Sequence, residues 1–127
     1  MGTARQRQAR VPQAAPAVTR VARVLAIVTD LMLGSRVSTS LKGAGHEVTQ
    51  VAEVPGGAEG ADLIVADLDT AEPERLAQLG VPVIGFYQHT DTDTKASADA
   101  AGIELAVPRS RMVRELPDLV ERVLSSS

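Results

Sequence analysis

The sequence contains no cysteine and no tryptophan, and its single phenylalanine and single tyrosine bring aromatic residues to 2% of 127 positions. Without cysteine there is no disulfide, no thiolate metal ligand and no cysteine nucleophile. A cysteine-free chain also fits a reducing compartment, so a cytoplasmic location is expected. With two aromatic rings there is no stacking platform of the kind that holds unpaired bases, so nucleic acid is not an expected partner. Long apolar runs are missing as well. The longest, residues 24–28, has five members, whereas a membrane-spanning helix needs about 20. No apolar stretch of signal-peptide type precedes Arg20.

What is present suits one globular domain: 13.3 kDa, with 44% hydrophobic and 23% charged residues. The net charge of −3 is unevenly spread. Residues 1–23 hold five arginines and no acid, which leaves eight basic and sixteen acidic side chains for the rest, a net charge of −8. Residues 1–20 (MGTARQRQARVPQAAPAVTR) are rich in Gln, Ala, Pro and Arg and show no period. Such a stretch buries too little apolar surface to offset its ordering entropy. It is expected to be a disordered basic arm ahead of a domain at residues 21–127.

Within that domain, strand and helix signals alternate. Residues 21–28 (VARVLAIV) form an apolar, β-branched run of the kind that is covered on both faces. A helix is expected to open at Gly34-Ser35, carry Val37 and Leu41, and end at Gly43 and Gly45. Residues 47–52 read as a second strand, 63–66 as a third, 81–86 as a fourth and 103–107 as a fifth. Helices are expected over 72–79, 92–101 and 110–124. Pro117 interrupts the last pattern, so that helix could start there, with 110–116 as a looser turn. Strands alternating with helices give a parallel sheet between two helical layers. Five of them point to a flavodoxin-like (βα)5 sandwich in strand order 2-1-3-4-5. Residues 53–61 contain three glycines and a proline and are short for a parallel crossover, so the second helix is expected to be short or missing.

In such sheets the site lies beyond the carboxyl ends of the strands. Those ends carry Thr29-Asp30, Asp67-Leu68-Asp69, Tyr87-Gln88-His89 and Pro108-Arg109-Ser110. Two acidic ends meet at the first and third strands, and a basic end comes from the fifth. A strand-end Asp also commonly caps the following loop or helix, and Asp67 has that reading beside the functional one.

The pieces VLAIVTD, LKGAGHEV, GADLIVADLD, GVPVIGF and AGIELAVPRS resemble the receiver domains of two-component response regulators over roughly residues 23–124. The resemblance implies phosphoryl transfer from a histidine kinase to the Asp that ends the third strand. It also implies an acidic pair after the first strand that helps bind Mg²⁺, a Thr or Ser ending the fourth strand and a Lys ending the fifth. Carried over, Asp67 takes the phospho-acceptor position and Asp30 what remains of the acidic pair, so Asp30 and Asp67 are the candidate Mg²⁺ ligands. Tyr87 or Gln88 replaces the switch hydroxyl. Pro108-Arg109 replaces Lys-Pro, with Arg109 22 positions after Tyr87. Arginine keeps the charge but not the compact ammonium.

Loss of the Lys, the hydroxyl and one acid together implies a degenerate receiver that is not an enzyme. It would act as a protein-interaction module without phosphotransfer and need no cofactor. Its partner would be a histidine kinase or another regulatory protein, with a homodimer through the last strand and helix as a further option. The alternative is a working single-domain regulator phosphorylated on Asp67 with Mg²⁺. A small α/β hydrolase or ligand-binding protein is a third reading.

Other signals are weaker. Asp67-Leu68-Asp69-Thr70 resembles the opening motif of haloacid-dehalogenase phosphatases, but Thr70 comes one place early and little chain follows. The run from His89 to Asp93 alternates possible hard-metal ligands, with an N-cap at Asp91 or Asp93 as the plainer reading. His46 is expected to face solvent in a turn. Arg109, Arg111 and Arg114 with Met112 read as either a docking surface or a solvated basic turn.

Overall fold

In the computed structural model the described residues are 21–88 and 92–125, with the side chains of 92–94 excepted. The predicted arm over 1–20, the candidate ligands His89 and Asp91, and the side chain of Asp93 therefore lie outside what the structure describes. Five strands, β1 (Arg23–Ile27), β2 (Glu47–Val51), β3 (Leu63–Asp67), β4 (Val83–Tyr87) and β5 (Leu105–Pro108), pair in parallel in the order β2-β1-β3-β4-β5. Three helices lie between strands, α1 (Leu31–Gly43), α2 (Pro73–Ala77) and α3 (Thr92–Ala101), and α4 (Arg109–Ser125) follows β5.

Successive side chains of a strand point to opposite faces, and here each face has its own core. Val24 and Ala26 of β1, Leu63 and Val65 of β3, and Ile84 and Phe86 of β4 pack with Leu33, Val37, Leu41, Met112, Leu116 and Val120 of α1 and α4. Leu25, Ile27, Ile64, Ala66 and Val83 pack on the other side with Leu76, Ala98 and Ile103. Both faces are covered, which is why β1 and β3 are apolar almost throughout.

The second face is the thinner one. Residues 52–62 form no helix, because Pro55, Gly56, Gly57 and Gly60 oppose one in so short a crossover. Val54 and Ala61 pack on that face instead. The Asp62 carboxylate accepts a hydrogen bond from the Arg23 N–H at 3.0 Å, and the Asp62 N–H donates to the Arg23 carbonyl at 2.7 Å. The crossover is thus stitched to β1 by backbone and one side chain. α2 has five residues.

Three readings from sequence are corrected. The first helix opens at Leu31 and not at Gly34, because Asp30 accepts from the Met32 and Leu33 N–H groups and so satisfies two donors of the first turn. The last helix is continuous from Arg109 through Pro117. Burial of Met112 and Leu116 on the α1 side outweighs the hydrogen bond that Pro117 cannot donate. His46 is buried, at 6% exposure, and its Nδ1 accepts from the Ala22 N–H at 3.0 Å. The turn after α1 puts it there. Gly45 takes φ +96°, a region that glycine enters without strain, while the His46 N–H closes on the Leu41 carbonyl and the Gly45 N–H on the Lys42 carbonyl.

Gly85 marks a close approach in the middle of β4. A Cβ there would stand 2.6–2.8 Å from three side-chain carbons of Leu68. Its absence lets Leu68 fold back over the sheet and hold the turn that follows Asp67.

Candidate functional site

The residues singled out at the strand ends converge. Register places Ile27 opposite Ala66, and Asp67 opposite Phe86, so β1, β3 and β4 end side by side. Beyond them each acidic side chain has one oxygen engaged by backbone. Asp30 Oδ1 caps α1 at 2.9 and 3.1 Å. Asp67 Oδ1 accepts from the Asp69 N–H at 2.9 Å. Asp69 Oδ2 accepts from the Gln88 N–H at 2.8 Å, tying the β3 turn to the end of β4. The Thr70 and Ala71 N–H groups donate to the Asp67 carbonyl and close the turn.

The basic partner is Arg109. The strand residue opposite Tyr87 is Pro108, and Arg109 opens α4 one place later. Its guanidinium reaches across the strand ends: Nη1 donates to Gln88 Oε1 at 2.9 Å, and Nη2 lies 3.7 Å from Asp30 Oδ2. Asp67 is half-buried, and desolvation pushes its carboxyl above the usual carboxylate range. The Asp69 N–H and the Arg109 charge pull it down, while the Asp69 and Asp30 charges add to the rise. Asp67 Oδ2 has no hydrogen-bond partner among the described residues.

The fit to Mg²⁺ is poor. The ion demands a near-octahedral shell of oxygens and commonly takes one or two carboxylates. Of the two candidate ligands, Asp30 has one oxygen spent on the helix cap and the other facing a guanidinium. The charge that a divalent ion would offset is met in part by Arg109.

Of the two readings of the basic turn at the start of the last helix, the side chains described fit the solvated turn better. Met112 is fully buried and contributes nothing to a surface, and Arg111 and Arg114 both pair with Glu115, at 3.4 and 3.2 Å. Sequence reasoning missed the parts played by Gln88, Asp69 and Gly85. A glycine inside an apolar strand is the usual signal of a close approach and could have flagged the last. Leu31 and Met32 stand open to solvent, at 79% and 81% exposure, directly after Asp30.

No protein-family profile matches the chain, and no curated protein matches its sequence. Solved structures do. The chemotaxis response regulator CheY4 of Vibrio cholerae superposes with a TM-score of 0.67 at 20% identity, covering 82% of this chain and 99% of that one. A response regulator receiver domain protein from Clostridium thermocellum gives 0.72 at 16% identity, covering 84% and 96%. The phosphorylated cyanobacterial phytochrome response regulator RcpA gives 0.69 at 15% identity, covering 85% and 97%. With its five parallel strands in order 2-1-3-4-5, the chain has the fold of response-regulator receiver domains.

Proposed function

We propose that this domain is a signalling module that works through protein contacts and not through phosphotransfer. The observation that carries the reading is the position of Arg109, whose guanidinium bridges Gln88 and Asp30 over the strand ends. A phosphoryl group entering at Asp67 needs a cation to offset its charge and room for its oxygens. An arginine held by two partners is a bulkier and less adaptable counter-charge than a hydrated metal ion with a lysine.

Leu31 and Met32 support the contact role. Large apolar side chains standing in water beside a charged cluster are common where a partner docks. They shift the proposed contact toward the β1–α1 turn and away from the last strand and helix. The partner class remains a kinase or another regulatory protein, in keeping with the signalling proteins that share the fold. A cytoplasmic location belongs to the same proposal. No helix among the described residues is long and apolar enough to cross a membrane.

The test is incubation of the full chain with acetyl phosphate and Mg²⁺, followed by intact-mass measurement. The expected mass is that of the unmodified protein. A stable phosphorylated species that disappears in Asp67→Ala would overturn the proposal and favour the phosphorylated regulator.

A further inference from the structure

We infer that the cleft between α1 and the start of α4 binds a small organic anion, with a phosphate or carboxylate head and an apolar body. The cleft has a volume of about 540 Å³, within the range in which proteins hold small ligands. Its lining includes Arg36, Arg109, Tyr87, Gln88, Ser110 and Val113, with two guanidinium groups and no carboxylate among the described residues. That is the reverse of the surrounding chain, which carries −8 after residue 23.

The two arginines are held differently. Arg109 is engaged by Gln88 and Asp30. Arg36 is exposed and has no side-chain hydrogen bond or ion pair among the described residues. Its helix offers it no acid, because positions three and four away are Leu33, Met32, Thr39 and Ser40. By contrast, Arg111 and Arg114 are answered by Glu115 within their own helix. A guanidinium presents a planar fork of donors that matches phosphate and carboxylate oxygens. The hydroxyls of Tyr87 and Ser110 and the amide of Gln88 add donors around it.

The apolar body has a place as well. A neighbouring groove of about 350 Å³ shares Arg36 and Val113 with the cleft and runs on past Thr39 and Ser40, with the buried Val37, Met112 and Leu116 beneath it. A head group at the arginines therefore leaves its substituent over an apolar floor. Asp67 and Asp30 line neither cavity; Arg109 belongs to both readings, and Arg36→Gln, which leaves Arg109 and Asp67 in place, separates this site from the proposed loss of phosphotransfer.

The experiment is a ¹H–¹⁵N NMR titration of the full chain, at fixed ionic strength, with phenyl phosphate and, in parallel, benzoate; phenol is the uncharged control. We expect saturable shifts of the Gln88, Ser110 and Val113 amides with at least one of the two anions and none with phenol. Which anion binds identifies the head group. Arg36→Gln should weaken that binding about tenfold without changing the melting temperature, since Arg36 makes no side-chain hydrogen bond or ion pair with any described residue. Absence of saturable shifts with both anions would overturn the inference. So would shifts confined to other surfaces, equal binding of phenol, or unchanged affinity in Arg36→Gln.

Discussion

The two ends of the sheet use the same kind of bond for different ends. At the amino ends, His46 and Asp62 accept from the Ala22 and Arg23 N–H groups, and the bonds close the fold. At the carboxyl ends, Asp30, Asp67 and Asp69 also accept from backbone N–H groups. There, however, the bonds leave charge over. Asp30 faces Arg109, Asp67 is half-desolvated with a second oxygen unbonded by any described residue, and Arg36 stands across a cleft with no acid among the described residues of its lining. A polar residue beyond a strand is thus structural where its hydrogen bonds are complete. It is a site where they are incomplete and the charges do not cancel.

The sheet that joins the two ends gives the largest expected effect. Ile64 and Val65 are both fully buried, one in each core. Ile64→Ala and Val65→Ala should each cost about 2–4 kcal/mol in denaturant unfolding. Near-zero losses in both would mean that β3 is not the centre on which both ends depend.

A smaller effect separates the ends themselves. His46→Ala leaves a buried N–H without its acceptor and should cost about 1–3 kcal/mol. Asp30→Ala removes a cap that lies open to water and should cost about 1 kcal/mol. A larger loss at Asp30 than at His46 would reverse the assignment of the structural end and the chemical end.

The smallest effect carries a sign. Burial raises the proton affinity of Asp67 in the folded chain. Its contribution to stability is therefore complete below the unfolded value of 3.8 and is lost as pH rises through the higher folded value. Asp67→Asn keeps an oxygen for the Asp69 N–H and removes the charge. It should raise the denaturation midpoint at neutral pH and match the wild type in acid. A midpoint lowered at neutral pH would show that the Arg109 charge outweighs desolvation.

Much of this was legible in the sequence. The apolar character of β1 and β3, the strand order, and the weak crossover at residues 52–62 follow from hydrophobic pattern and from Pro55, Gly56, Gly57 and Gly60. The gathering of Asp30, Asp67 and Arg109 at one sheet edge follows from topology, since each comes just after a strand. What the pattern did not carry is how each polar group is spent. Asp30 reads as a ligand until the helix is seen to start at Leu31, where the same carboxylate is its cap. His46 reads as a turn residue because the chain doubles back at Gly45 and buries it against a strand 24 positions earlier. Arg36 sits unremarked in a helix, and it gains meaning when α1 is laid beside the start of α4.

The claim that Arg109 takes the place of a metal ion at the strand ends is tested most directly by titrating the ¹⁵N-labelled chain with Mg²⁺. The amides of Asp30, Met32, Asp67 and Asp69 should show no saturable shift at millimolar metal. Saturable shifts at those four positions, in a protein that keeps Arg109, would contradict it.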